Sequence, residues 1–164
     1  MKVTARLVRR LDQSAINPFA DLIGQAFTRE QAARMYGDDN NLFKWRQPGH
    51  ISAGDDEVFF VNVSKRGMEA GNQYVDGFLS PGIFEWSSMR STSPDSLKGQ
   101  AILEAPSNGH KVHLFARKNN KALGYTYFGL LTPIRHEGSK PIQITFRLLT
   151  PLTNDLFSEF GPTE

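Results

Sequence analysis

Hydroxyls, an arginine and a helix start crowd the stretch Phe84 to Gln100, Phe-Glu-Trp-Ser-Ser-Met-Arg-Ser-Thr-Ser-Pro-Asp-Ser-Leu-Lys-Gly-Gln. Arg90, Ser91, Thr92 and Ser93 offer donors to a phosphate. Ser93 as N-cap with Pro94 at the first helical position predicts a helix whose N-terminus favours an anion. Together these point to a polyanionic partner. Aromatic residues add a second chemistry. Phe84 and Trp86 share one strand face, Tyr125 and Tyr127 another, Tyr74 and Phe78 a third. Flat, weakly hydrated rings beside polar groups suit stacking on a base. Rings at strand spacing are more often core; Trp86 and Tyr127 are the expected exceptions, since each adjoins polar neighbours and carries a polar atom that needs a partner.

Catalytic patterns are weak by comparison. The four histidines are His50, His110, His113 and His136. The one close pair falls at a predicted turn-to-strand junction, which reads as a solvated His110 and a surface His113. Without cysteine there are no thiolate metal ligands. No Gly-rich loop ends in Gly-Lys-Ser/Thr. Asp76, Glu85 and Lys98 could serve a metal-dependent nuclease, but their spacing is not diagnostic. Ser87 and Ser88 lack the context of a strained nucleophile turn. The reading is a binding module, with no catalytic residues, no metal and no cofactor.

These residues need elements to hold them. The 164 residues suffice for one domain with a real core, 39% apolar and 11% aromatic. Absence of cysteine fits a reducing cytosol, and the expected location is cytoplasmic, with the nucleoid. Apolar runs are too short to span a bilayer. The N-terminal ten residues lack the continuous apolar region of a secretory signal. Net charge is +2, from 19 basic and 17 acidic residues, so binding must come from segregated charge. Bases cluster at Lys2–Arg10, Lys44 and Arg46, Lys111–Lys121 and Arg135–Arg147, acids at Asp38–Asp39 and Asp55–Glu57.

Residues 1–21 form a lead-in with a weak helical stripe of Leu7, Val8 and Leu11. Thr28 and Gln31 have capping-box spacing for a helix to Met35, stopped by Gly37. Residues 38–56 read as a loop with Phe43 and Trp45 embedded. Strands are expected over 58–63, 72–79, 83–88, 111–117, 125–131 and 142–149, with a short helix over 94–103. Residues from 153 form a C-terminal tail. Strands joined mostly by turns predict an α+β domain over 22–152: a curved antiparallel sheet or small barrel with two or three flanking helices.

Three blocks carry a resemblance. The first is Ala26-Phe27-Thr28-Arg29-Glu30-Gln31-Ala32. The second is Gln73–Ser80 running on to Phe84-Glu85-Trp86-Ser87-Ser88, Ser91-Thr92-Ser93-Pro94 and Lys98-Gly99-Gln100. The third is Val112–Arg117, Tyr127-Phe128-Gly129, His136–Ile142 and Thr150-Pro151-Leu152. Over about 22–152 the chain resembles the domain of unknown function at the C-terminus of bacterial superfamily-two helicases. Some of these are type IV restriction enzymes that cut DNA containing 5-methyl- or 5-hydroxymethylcytosine. The resemblance implies a PUA-like fold, akin to the base-flipping SET- and RING-associated domains, acting as target recogniser in a restriction or defence system. The chain is then a free-standing copy or an excised domain, with a helicase or nuclease in cis or in trans. Met89 stands where the family pattern Trp-x-Ser-Gln has Gln.

On that basis one extruded base is expected between Trp86 and Tyr127, with Ser88 in the pocket and Asp76 accepting from cytosine N4. Asp76 as a turn carboxylate is the equal alternative. Arg90, Ser91, Thr92, Ser93 and Gln100 would hold the flanking phosphate, and Arg117, Lys118, Ser139 and Lys140 the backbone of double-stranded DNA. An RNA- or single-strand-binding PUA-like module, or a docking domain for a helicase or nuclease, is the alternative.

Overall fold

The computed structural model describes residues 17–63 and 76–162. The first four residues of the strand expected over 72–79, the ring of Tyr74 and most of the lead-in lie outside them. The domain is α+β. Eight strands form one sheet: β1 (Ala26–Phe27), β2 (His50–Ala53), β3 (Asp56–Asn62), β4 (Gly77–Ser80), β5 (Ile83–Ser87), β6 (Lys111–Arg117), β7 (Tyr125–Glu137) and β8 (Gln143–Leu148). The order is β2-β3-β6-β7-β8-β5-β4, with β1 on β7.

All pairings are antiparallel except β3 with β6, which run parallel from Asp56↔Lys111 to Asn62↔Arg117. The expected α+β domain with a curved sheet is present, with this one parallel pair among antiparallel ones. Parallel pairing needs a long return path, which the excursion through β4, β5 and a helix supplies. Among the described residues the sheet is open, because its end strands β2 and β4 do not pair. It is nonetheless strongly curled. β3 and β5 stand four places apart, about 19 Å in a flat sheet, yet Phe59 of β3 stacks on Trp86 of β5 with centroids 4.0 Å apart.

Curling creates two cores. The inner one gathers Phe59, Phe84, Trp86, Leu114, Phe128 and Phe146. The outer one gathers Trp45, Val58, Phe60, Phe115, Tyr125 and Tyr127 beneath helix α1 (Arg29–Met35). α1 begins as expected: the Thr28 side chain accepts from the Gln31 N–H while the Gln31 side chain accepts from the Thr28 N–H. Covering both faces explains why β3 and β6 are buried along their length.

Two expected loops are ordered otherwise. The stretch 38–56 contains a 3₁₀ segment, Asp39–Trp45, and strand β2. Trp45 is buried there, its indole N–H donating to Asp38 at 2.8 Å. The tail from 153 instead forms helix α3 (Asn154–Phe160), capped by Thr153, with Phe160 packed on Phe128.

Helix α2 (Leu97–Leu103) starts later than expected. Its N-cap is Ser96, not Ser93: the Ser96 hydroxyl accepts from the Gly99 N–H, and the Ser93 carbonyl accepts from the Ser96 hydroxyl and N–H. This turn seats Ser93 against the helix so closely that a Cβ on Gly99 would lie 2.0 Å from the Ser93 carbonyl oxygen. Gly99→Ala is therefore expected to cost about 1–3 kcal/mol, the range for forced overpacking. Gly82→Ala, with nothing within 4 Å of its Cβ, should stay within about 0.5 kcal/mol. Equal denaturant midpoints for the two variants would contradict this account.

Candidate nucleic-acid interface

Two loops meet at one end of the sheet. The loop after β5, residues 88–96, lies against the β7–β8 turn, residues 138–142. The Ser88 N–H donates to the Ile142 carbonyl at 2.9 Å, and the Ile142 N–H donates to the Ser88 hydroxyl at 2.8 Å. The Lys140 N–H donates to the Thr92 carbonyl at 3.0 Å. These bonds bring together Arg90, Ser91, Thr92, Ser93, Ser139 and Lys140, which lie far apart in sequence. Arg90, Ser91, Ser139 and Lys140 are exposed, whereas Thr92 is buried and Ser93 half-buried. Neither Arg90 nor Lys140 is engaged by an ion pair among the described residues.

Asp76 stands beside this rim. It immediately precedes β4, and its carboxylate accepts from the Ser87 N–H at 2.8 Å. Burial pushes the carboxyl up to about 6, against the lowering effect of that hydrogen bond. Ser88 is buried one residue further along, but its hydroxyl is committed: it accepts from Ile142 and donates to the Met89 carbonyl. Ser88 therefore fastens the rim rather than facing a base. Exposed Met89 sits on the rim itself.

The expected pair of stacking rings is corrected. Trp86 is 5% exposed and belongs to the inner core; Tyr127 is fully buried in the outer core. They lie on opposite faces of the sheet, so no single base can sit between them. Both rings pack inside the domain. Trp86 stacks on Phe59, and the Tyr127 hydroxyl bonds to His113 Nδ1 at 2.8 Å and to the Asn17 side chain.

The remaining candidates separate. Arg117 donates to the Asn62 side chain and the Ala122 carbonyl, with its guanidinium 4.3 Å from the Tyr125 ring centroid. Lys118 pairs with Glu159 of α3 at 3.2 Å. No hydrogen bond or ion pair among the described residues links either to the two loops. Gln100 is exposed on α2.

His113 is not on the surface; it is wholly buried, bonded to Tyr127 on one side and to Asp56 at 2.8 Å on the other. Burial holds its pKa below the usual value, outweighing the raising effect of Asp56. His110 is not merely solvated either, since its ring bonds to Glu57 at 3.1 Å. Glu57, 1% exposed, also binds His50 at 2.8 Å and Ser52 at 2.6 Å. Burial alone would raise its pKa, but the hydrogen bonds from His50, Ser52 and His110 and the charge of His50 hold it below the ordinary value. This node was missed because β2 lay hidden in a polar stretch. Among the described residues no group of three acids or histidines could hold a metal, and no helix is long and apolar enough to cross a membrane.

The family profile of the domain of unknown function DUF3427 matches residues 22–160. The chain belongs to the DUF3427 family. The match runs through α3, past the expected boundary at 152. No curated protein matches the sequence. Among solved structures, the chain is similar to the SUVH5 SRA domain in complex with hemi-methylated CG DNA, at 15% identity and TM-score 0.48, covering 80% of this chain and 92% of that one. It is also similar to the SUVH5 SRA domain in complex with fully methylated CG DNA, at 16% identity and TM-score 0.46, with the same coverage.

Proposed function

We propose that this domain binds double-stranded DNA and reads a modified cytosine, 5-methyl or 5-hydroxymethyl, in an extruded nucleotide. The observation that carries the reading is Asp76. A half-buried carboxyl with its pKa near 6 stands beside a rim of exposed hydroxyls and of cations without an ion pair among the described residues. Cytosine presents a donor, N4–H₂, next to an acceptor, N3. A protonated carboxyl answers both, accepting with one oxygen and donating with the other. The rim, through Arg90, Ser91 and Lys140, holds the phosphates on either side of the extruded nucleotide. Ser88 keeps the two loops in register, so the phosphate contacts and Asp76 keep a fixed separation. In the resemblance drawn from the sequence this is a PUA-like target recogniser for a helicase or nuclease in a defence system, and Asp76 and the rim are consistent with that role.

The test is binding to matched duplexes carrying cytosine, 5-methylcytosine or 5-hydroxymethylcytosine. Tighter binding of one modified duplex is expected; equal affinity for all three sinks the reading. The carboxyl adds a sharper expectation. Affinity should rise as pH falls through about 6, where Asp76 takes up its proton. Asp76→Asn should bind with no such pH dependence, because an amide carries the same acceptor and donor side by side. Asp76→Ala should lose about 1–3 kcal/mol of discrimination for cytosine over the other bases at the target position. Identical pH profiles for the wild type and the Asn variant would refute Asp76 as the reading group. Its contribution to stability shifts the same way: since the folded-state pKa is raised, that contribution is full below about 4 and is lost as pH rises through 6.

A further inference from the structure

Beside the rim, the end of β7 is an edge of the sheet, because β6 stops pairing at Val112↔Leu131 while β8 stays bonded to β5 on its other side. Every residue from Ile134 to Lys140 is exposed, yet the strands stay paired to Glu137↔Gln143. On the solvent face the register sets Arg135, Thr145 and Glu85 in a row across β7, β8 and β5. The Thr145 hydroxyl donates to Glu85 Oε1 at 2.6 Å, and the Arg135 guanidinium stands 3.9 Å from that same oxygen. Thr145 thus fixes the carboxylate, and the carboxylate steers the arginine without consuming its fork, since the Arg135 side chain remains 74% exposed. A cleft of about 280 Å³ opens beside them.

An arginine fork on an exposed sheet edge matches the O6 and N7 acceptors that guanine presents in the major groove. From β5, whose Ser87 holds Asp76, across β8 to the β7 edge that carries Arg135 is two strand spacings, roughly 10 Å, or about three base steps. We propose that Arg135, positioned by Glu85, reads a guanine in a base pair close to the target cytosine. The domain thereby recognises sequence context as well as the modification. This inference rests on the DNA-reading function proposed above.

The experiment measures affinity for duplexes in which each of the three base pairs on either side of the cytosine is G·C or A·T, with modified and unmodified cytosine in parallel. The wild type should prefer guanine at one position by roughly tenfold or more. Arg135→Lys keeps the charge but not the fork; it should abolish that preference while leaving affinity for the A·T duplexes and its salt dependence unchanged. Glu85→Gln should weaken the preference without lowering affinity for the A·T duplexes. A uniform loss across all duplexes would make Arg135 a phosphate contact and overturn the inference, as would an undiminished preference in Arg135→Lys. Failure to discriminate modified from unmodified cytosine would instead defeat the modified-cytosine reading proposed above and leave the guanine preference to be scored on its own.

Discussion

Glu57→Ala is expected to lower the unfolding free energy by about 3–5 kcal/mol, seen as a fall in the urea midpoint at unchanged slope. The carboxylate lies beneath the surface and gathers His50 and Ser52 of β2 with His110 of the loop before β6. Removing it leaves three polar groups without their acceptor and unfastens an edge strand from its neighbour. Its pH signature has a definite sign. Because the folded-state pKa lies below the ordinary value, the contribution is present above the unfolded carboxylate range and disappears as pH falls through the folded-state value. The wild type should therefore lose stability on acidification along a limb that Glu57→Ala lacks. A cost under about 1 kcal/mol, with the acid limb intact, would show that the node is not what holds β2 in place.

Trp86→Ala should cost about 3–5 kcal/mol, the range for deleting a large buried aromatic. The indole fills the inside of the curl, 4.0 Å from Phe59 and 6.3 Å from Phe146 between ring centroids. Trp86→Phe retains most of that packing and permits the companion measurement, DNA affinity of a folded variant, which should match the wild type. An intact melting temperature with lost base discrimination would return the ring to the binding site and overturn its assignment to the core.

The two rings show where sequence reading stops. Alternation places Trp86 and Phe84 on one strand face correctly, and the capping box at Thr28 and Gln31 marks the start of α1 to the residue. What alternation cannot report is whether the opposite face is also covered. β6 looks half-polar because of His113, yet α1 and the 3₁₀ segment close over that side and bury the imidazole. The indole and phenol polar atoms look as though they require solvent or a ligand. Tyr127 instead finds Asn17 and His113, the former 110 positions away in sequence. The rim was more legible. Its hydroxyls and cations are dense in the chain, and the structure brings its two halves together through Ser88 and Thr92. Ser93 was misplaced as the cap because the hydroxyl three residues later competes for the same role and wins through Gly99, which admits close approach.

The parallel pairing of β3 with β6 has a bearing on how such a domain is made. During synthesis the β2–β3 and β4–β5 hairpins leave the ribosome early, each an isolated two-stranded ribbon of marginal stability. Neither pairs with the other along a strand edge. Both wait for the β6–β7–β8 meander, whose outer strands supply their attachment edges. The late meander is the template, so a polypeptide released before it has been translated has nothing to close around.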